Sequence, residues 1–315
     1  MVNSKQLDLE QVKKKNSAIY HKLKLNKRYT GLLYISPWLI GFVIFQLYPL
    51  ISSLIYSFTD FGMLKPPRFV GLRNYTYMFT SDDLFWTGLK VTFKYVFFSV
   101  PLKLTSALII AMLLNMKLKY VNFFRTVYYI PSIMGGSVAI AVLWKAMFMN
   151  DGYVNKLLSL ISVPTINWLG SPSYALFTLS SLVVWQFGSS MVLFLAGLKQ
   201  IPAELYEAGR VDGASKIRMF FTITFPLLTP IIFFNLVMQL IQAFQEFTAA
   251  LVITNGGPLH ATYLYVIKVY EEGFQFFKMG YASALSWVLF IIILTFTALI
   301  FKSSTSWVHY EDGGK

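Results

Sequence analysis

The chain of 315 residues contains no cysteine, few histidines and little charge. Without cysteine it can form no disulfide framework, no thiolate metal site and no thiol nucleophile. Charged residues make up 13% of the chain, whereas a soluble globular domain has about a quarter. The composition therefore argues against both a water-soluble enzyme and a disordered polymer.

Catalytic motifs are also missing from the sequence. No Gly-rich loop ends in Lys-Ser or Lys-Thr, so no nucleotide site of that type is predicted. His-Glu-x-x-His and Gly-x-Ser-x-Gly are absent as well. The three histidines, His21, His260 and His309, are scattered along the chain. The sequence therefore predicts a non-catalytic chain without a metal site or cofactor of its own.

What the sequence does contain is apolar residues, which make up 56% of the chain and gather into six long runs. A run of about 18 or more such residues is long enough to cross a membrane as a helix. The runs lack the alternation of a membrane β-barrel, so helices must satisfy their backbone polar groups. They lie at residues 31–58, 88–115, 127–149, 174–197, 227–254 and 281–301. We therefore expect an all-α, polytopic membrane protein with six transmembrane helices.

Lysine and arginine predict the orientation of these helices. Eight of them precede the first run, three lie between the second and third runs, four between the fourth and fifth, and two after the sixth. The connections on the opposite side hold six in all. Both termini are therefore expected in the cytoplasm, with the lysine-rich N-terminal tail held near anionic membrane lipid. The formal charge of +13 then indicates topology and predicts no nucleic-acid partner.

The connection between the fourth and fifth runs has the features of a short surface helix. Pro202 suits the first turn of a helix, and Glu204 lies near its positive N-terminal end. Gly213 interrupts the helix, and a second amphipathic stretch carries Phe220 and Phe221. From these residues alone, the helix either contacts a partner protein or lies on the lipid surface.

The same segment resembles the signature of ABC-importer permeases, Glu-Ala-Ala-x3-Gly-x9-Ile-x-Leu-Pro. The spacing is intact, although glycine replaces the second alanine and phenylalanine replaces the leucine; the matching residues are Glu207, Ala208, Gly209, Gly213, Ile223, Phe225 and Pro226. The resemblance implies the ABC type I importer permease fold, in which this loop is a cytoplasmic coupling helix that docks onto a nucleotide-binding subunit. The coupling residues that it implies are Glu204, Glu207, Ala208, Gly209, Asp212 and Gly213.

Other segments extend the resemblance to carbohydrate-importer permeases over residues 31–300. They are the segments 36–60 and 69–75, the Gly-Gly-Pro loop at 254–258, and 279–284. The resemblance implies a first-permease-type subunit that pairs with a second, non-identical permease, two ATP-binding subunits and an extracytoplasmic solute-binding protein. ATP and Mg would bind in the ATPase subunits, and the complex would lie in the cytoplasmic (inner) membrane of a bacterium.

Three parts of the chain follow from this interpretation. Residues 1–30 form a cytoplasmic N-terminal tail, 31–303 a six-helix transmembrane permease domain with its coupling loop at 198–226, and 304–315 a cytoplasmic C-terminal tail. The expected function is import of a sugar or oligosaccharide by alternating access, driven by ATP hydrolysis in the partner subunits. The alternative is a secondary transporter or channel that works without ATPase partners.

Polar residues inside the fifth run predict the substrate path, because such residues are costly in a membrane. At 100° per residue, four of them fall within about 60° of one helix face. Amides and a carboxylate on one face can replace water around sugar hydroxyls, or they can hydrogen-bond neighbouring helices. The four are Asn235, Gln239, Gln242 and Glu246, and the predicted pathway also includes Gln245 and Lys103.

Lys103 and Glu246 are charged residues inside the second and fifth runs, and two interpretations remain open for them. They can neutralise each other or extend toward the membrane surface, which would be structural roles. Alternatively, Lys103 faces the substrate path and helps to receive an acidic sugar.

Overall fold

The structure is a computed structural model that describes residues 27–63, 66–116 and 119–309. The basic tail as far as residue 26, Lys65, Lys117 and the last six residues, which the sequence interpretation used, lie outside the described residues. The chain divides into two units, Met1–Ile55 and Tyr56–Lys315.

The described part of the first unit, residues 27–55, is helical. Helix α1 covers Lys27–Phe42, a π-helical turn follows at Val43–Leu47, and α2 covers Tyr48–Ser57. The stretch Tyr34–Ser57 is long and apolar enough to cross a membrane. The first predicted span is therefore helical over nearly all of its length.

In the described residues of the second unit, the regular secondary structure is helical apart from one isolated bridge between Thr59 and Phe69. The helices are α3 (Arg73–Thr80), α4 (Asp83–Asn115), α5 (Val121–Ile133), α6 (Val138–Met147), α7 (Tyr153–Ser159), α8 (Pro172–Trp185), α9 (Gly188–Gln200), α10 (Ala203–Val211), α11 (Lys216–Met219), α12 (Phe225–Phe244), α13 (Tyr265–Tyr270) and α14 (Met279–Trp307). Short π-helical stretches lie at Phe220–Thr224, Ala250–Thr254 and Glu271–Gln275.

The spans agree with the predicted runs in number but not in shape. Four helices are long and apolar enough to cross a membrane, and six spans result if each of two bent pairs is one span. The third predicted run is the pair α5 and α6, bent by 103°, and the fourth is the pair α8 and α9, bent by 47°. The fifth run is not one helix to residue 254, because α12 ends at Phe244.

Helix α4 is the central element, and it packs against α8, α9, α12 and α13. Near its start, the ring of Phe85 contacts the ring of Tyr265 edge-on at a centroid distance of 5.8 Å. Further along, Ala107 and Ala111 are fully buried against α9, since small side chains let two helices approach closely. The core therefore surrounds one helix of 33 residues.

Segments that carry the family resemblance hold each other in place. The side-chain amide of Asn74 donates to the carbonyls of Ser57 and Thr59, both at 2.8 Å. The Tyr75 hydroxyl donates to Ser57 Oγ at 2.8 Å. In the Gly-Gly-Pro loop, Thr262 Oγ1 donates to the carbonyl of Gly257 at 2.7 Å. These polar residues therefore shape the loops between spans.

Candidate functional site

A cavity of about 450 Å³ lies beside the middle of α4. Its volume is within the range of about 300 to 1,000 Å³ that small-molecule sites occupy. Its walls come from α4, α8, α9, α12 and the break between α5 and α6. The lining residues are Tyr95, Ser99, Val100, Lys103, Ser132, Gly135, Gly136, Val183, Gln186, Ser189, Gln239, Gln242, Ala243 and Glu246.

Four of the six predicted pathway residues line this cavity, namely Lys103, Gln239, Gln242 and Glu246. Asn235 does not: its side chain is buried, and its Nδ2 donates to the carbonyl of Ile231 on the same helix at 3.0 Å. Gln245, the residue after the end of α12, is exposed and does not line the cavity either. Only the C-terminal part of the predicted polar face of α12 therefore forms a wall of the cavity.

The sequence interpretation missed the hydroxyl groups on α4. Tyr95 and Ser99 are buried and line the cavity, and their hydroxyl groups lie near each other. Together with Lys103 they follow one another at intervals of four residues, which places them on one side of a helix. That spacing is a signal that the sequence already contained.

The two bent helix pairs meet at the cavity through Ser132. Its Oγ donates to the carbonyl of Gln186 at 3.0 Å and accepts from the backbone N–H of Ser189 at 3.0 Å. Gly136 has a φ of +72°, which glycine adopts at no steric cost. Each pair is therefore interrupted where it faces the cavity, and one serine joins the two interruptions.

Lys103 and Glu246 share the cavity, but they form no ion pair within 4 Å. Glu246 Oε1 instead accepts from the backbone N–H of Ala249 at 3.0 Å. Among the residues that the structure describes, Lys103 has neither a carboxylate within that distance nor a hydrogen bond. The two charges interact only at longer range.

The segment predicted as a coupling loop forms a short exposed helix, α10. Its boundaries follow the sequence features: Pro202 precedes its first residue, and Asp212 follows its last. Gly213, with a φ of +71°, ends it, and the N–H of Ala214 donates to the carbonyl of Gly209 at 2.9 Å. Five of the six predicted coupling residues are exposed, which are Glu204, Glu207, Ala208, Asp212 and Gly213.

Gly209, the sixth coupling residue, faces inward. A Cβ at this position would lie 3.3 Å from Met219 Cγ and 3.5 Å from Ile223 Cδ1. The Tyr206 hydroxyl forms a hydrogen bond of 2.9 Å with Thr224 Oγ1. Helix α10 is therefore attached to the start of α12.

A buried ionic cluster, which the sequence interpretation missed entirely, lies at the start of α4. Lys268 Nζ is 2.9 Å from Asp82 Oδ2 and 2.7 Å from Glu272 Oε1. The Tyr281 hydroxyl donates to Asp82 at 2.5 Å. The Tyr263 hydroxyl donates to the carboxylate of Glu271 in the same segment. This cluster joins the start of α4 to α13 and α14. The other end of α4 lies beside α10.

The cluster controls the charge of its own members. Burial alone would raise the pKa of Asp82, but hydrogen bonds from Tyr281 and Lys268 outweigh it and lower that pKa. Burial alone would lower the pKa of Lys268, but Glu272 and Asp82 outweigh it and raise that pKa. Both residues are therefore held in their charged forms.

Comparisons with known proteins agree with this architecture. The family described as "Binding-protein-dependent transport system inner membrane component" matches residues 97–305. The chain is 50% identical over 284 residues to the probable ABC transporter permease protein YesP of Bacillus subtilis, covering 89% of this chain and 92% of that one. It is 32% identical to the arabinooligosaccharides transport system permease protein AraP of the same organism, covering 91% and 92%.

Two further proteins are similar in sequence or fold. The trehalose/maltose transport system permease protein MalF of Thermococcus litoralis is 34% identical, with 89% of this chain and 95% of that one covered. A crystal structure of a bacterial ABC transporter that imports the acidic polysaccharide alginate has a TM-score of 0.76 at 24% identity, with 89% and 96% covered. The second likeness shows the fold alone and confirms the predicted permease architecture.

The family defines what this chain does in general terms. Its members are non-catalytic, multi-pass membrane subunits that work with a binding protein and with ATPase partners. The match covers most of the described spans, and several relatives are more than 30% identical over most of their length. The chain therefore belongs to the inner membrane components of binding-protein-dependent transport systems and is a permease subunit of an ABC importer.

Proposed function

We propose that this permease moves a sugar or oligosaccharide across the cytoplasmic membrane of a bacterium by alternating access. The observation that carries the proposal is the cavity beside α4, whose walls hold three amide side chains and several hydroxyls. Such groups are suited to replace water around the hydroxyls of a sugar. Relatives named for arabinooligosaccharides and for trehalose and maltose support the same substrate class.

Within the cavity, we assign substrate contact to Gln239, Gln242, Glu246 and Lys103. Lys103 lies on α4, the other three lie on or just after α12, and all four line the cavity. The two other predicted pathway residues have different roles. Asn235 stabilises α12 from within, and Gln245 lies outside the cavity.

The exposed face of α10 is the surface for an ATPase subunit. Its polar and small residues, Glu204, Glu207, Ala208, Asp212 and Gly213, project away from the unit, whereas Gly209 packs inward. ATP and Mg bind in the partner subunits, and closure of those subunits would displace α10. Since α10 is attached to Thr224, the displacement would reach α12 and the cavity wall.

The remaining partners and the orientation follow from the same scheme. The cavity is completed by a second, non-identical permease, and an extracytoplasmic binding protein delivers the sugar. The end of the unit with α10 faces the cytoplasm, as do both termini, in agreement with the excess of lysine and arginine in those connections. A transporter that works without ATPase subunits would need no such loop, and the family assignment replaces that alternative.

A reconstituted complex of both permeases, the ATPase and the binding protein tests this function. We expect ATP-dependent uptake into vesicles of at least one oligosaccharide from a panel of neutral and acidic trisaccharides. Glu207→Arg should lower uptake about tenfold and reduce the amount of ATPase that co-purifies, because a reversed charge at an interface weakens association. Asp151→Arg, an equal reversal on an exposed residue after α6, is the control and should retain the ATPase.

Two outcomes would contradict the proposal separately. A complex that hydrolyses ATP but takes up no sugar of any kind would exclude the substrate class. Equal loss of ATPase from the Glu207 and Asp151 variants would exclude α10 as the specific attachment site.

A further inference from the structure

We propose that the sugar carried by this permease bears a carboxylate, as a uronic acid does, and that Lys103 determines this preference. The inference rests on the proposed function, since it concerns the same cavity. It follows from four observations on the charges that surround the cavity.

The first observation is that Lys103 is a buried cation without a partner. Its side chain is 6% exposed and lines the cavity. Among the described residues no carboxylate lies within 4 Å of its Nζ, and no hydrogen bond satisfies it. A buried charge is costly unless it is paired. An anionic group that enters the cavity would supply the missing partner.

The second observation is that Glu246 does not supply it. Its Oε1 accepts the backbone N–H of Ala249 at 3.0 Å, so the carboxylate is engaged with its own backbone. A carboxylate that accepts such a bond is stabilised locally. The two charges therefore differ: the negative one has a close partner, and the positive one has only the space of the cavity.

The third observation is the direction of two broken helices at the cavity. Helix α6 begins shortly after Gly135 and Gly136, and α9 begins at Gly188; Gly135, Gly136 and Ser189 line the cavity. The N-terminal end of a helix carries partial positive charge. Ser137 does not cap α6, whereas Ser132 Oγ accepts the backbone N–H of Ser189 at the start of α9. The ends of α5 and α8 at the same breaks carry partial negative charge. The helix ends therefore largely offset each other, and Lys103 is the full positive charge that an anion in the cavity would meet.

The fourth observation concerns the neutral part of the ligand. The Tyr95 and Ser99 hydroxyls lie on the wall that carries Lys103, are buried, and have no hydrogen-bond partner other than each other among the described residues. Two hydroxyls and three amides beside one cation fit a molecule with many hydroxyls and one acidic group. They fit an inorganic anion less well, because most of these groups would then remain unpaired.

The test compares two sugars that differ only in charge. A trisaccharide that contains a uronic acid, and the same trisaccharide with its carboxyl reduced to an alcohol, are supplied at saturating binding protein to vesicles with the whole complex. We expect Lys103→Met to lower the ratio of acidic to neutral uptake about tenfold, since a hydrogen bond to a charged group contributes a factor of that order. Lys103→Arg should restore most of the ratio.

The double variant Lys103→Met with Glu246→Gln distinguishes the structural alternative. If Lys103 only neutralises Glu246, removal of both charges should restore uptake of the acidic trisaccharide, and that result would overturn the proposal. Persistent loss of the ratio in the double variant supports it. A wild-type complex that prefers the reduced trisaccharide also overturns it, whereas one that takes up neither sugar contradicts the proposed function itself.

Discussion

Lys268 Nζ lies 2.9 Å from Asp82 Oδ2 and 2.7 Å from Glu272 Oε1, so one buried ammonium group joins two carboxylates. Asp82 caps the start of α4, where its side chain accepts the N–H of Phe85. Lys268 belongs to α13, which is too short to be a stable helix by itself. The ion pair therefore holds a short helix against the longest helix of the unit.

Replacement of Lys268 by methionine should destabilise the permease strongly. Asp82 would lose its cation and Glu272 the closer of its two, and breaking a buried pair costs about 3 to 5 kcal/mol. The melting temperature of the detergent-purified complex measures the effect. Lys278→Met is the matched control, because Lys278 reaches Glu272 Oε2 at 3.3 Å but its side chain is 58% exposed, and exposed pairs contribute about 0 to 1 kcal/mol. Equal losses in both variants would disprove the buried role of Lys268.

The buried ionic cluster should contribute a constant amount to the stability of the permease over a wide pH range. The pKa of Asp82 is lowered from 3.8 in the folded protein, so its contribution is present above that value and is lost as the pH falls through the lowered pKa. The pKa of Lys268 is raised from 10.5, so its contribution is present below that value and is lost as the pH rises through the raised pKa. The difference in melting temperature between wild type and Asp82→Asn should therefore be constant from about pH 5 to 9 and should shrink in stronger acid. A steady change of this difference across neutral pH would contradict the assignment.

Gly213 predicts how α10 tolerates substitution. Its φ of +71° lies in the left-handed region, where a residue other than glycine loses about 1 to 2 kcal/mol and a β-branched residue is strongly disfavoured. We expect Gly213→Val to displace the helix end and to lower ATP-dependent uptake severalfold, whereas Gly213→Asn should retain most of it, since asparagine tolerates this conformation. Uptake per ATP hydrolysed is the measurement. Equal activity of the two variants would show that the conformation of this residue is unimportant.

The boundary of the cavity on α12 yields a paired test. Gln242→Ala removes an amide from the lining and should raise the sugar concentration needed for half-maximal uptake by about threefold to tenfold, the effect of one lost hydrogen bond. Gln245→Ala changes the same residue type three positions later, outside the lining, and should leave that concentration unchanged. If Gln245→Ala raises that concentration more than Gln242→Ala does, the cavity wall has been assigned to the wrong side of the end of α12.

The sequence predicted those parts of the structure that depend on local signals. Hydropathy located every span, and Pro202 and Gly213 predicted the ends of α10 to within a residue. The spacing of polar residues on α12 located one wall of the cavity. These features depend on neighbouring residues along one helix, so a single sequence is sufficient to detect them.

Features that depend on distant parts of the chain were not predictable. Tyr281 and Asp82 are 199 positions apart and meet only because α4 and α14 pack together. Ser132 and Gln186, which join the two bent helix pairs, are 54 positions apart. Gln245 was predicted as a pathway residue without belonging to the four residues on one helix face, and it lies outside the cavity lining. Charge and polarity indicate that a residue is important, but only packing determines its partner.

Helix α4 has a mechanical consequence. With 33 residues it is about 50 Å long, and it runs from the ion pair at Asp82, past Lys103, to Asn115 beside Tyr206. If the helix turns as one rigid body by about 10° around its midpoint, each end moves by about 4 Å, in opposite directions. Spectroscopic labels near the two ends of α4 would then report displacements in opposite directions during a turnover cycle. The cavity lies beside the middle of the helix, where the displacement is smallest.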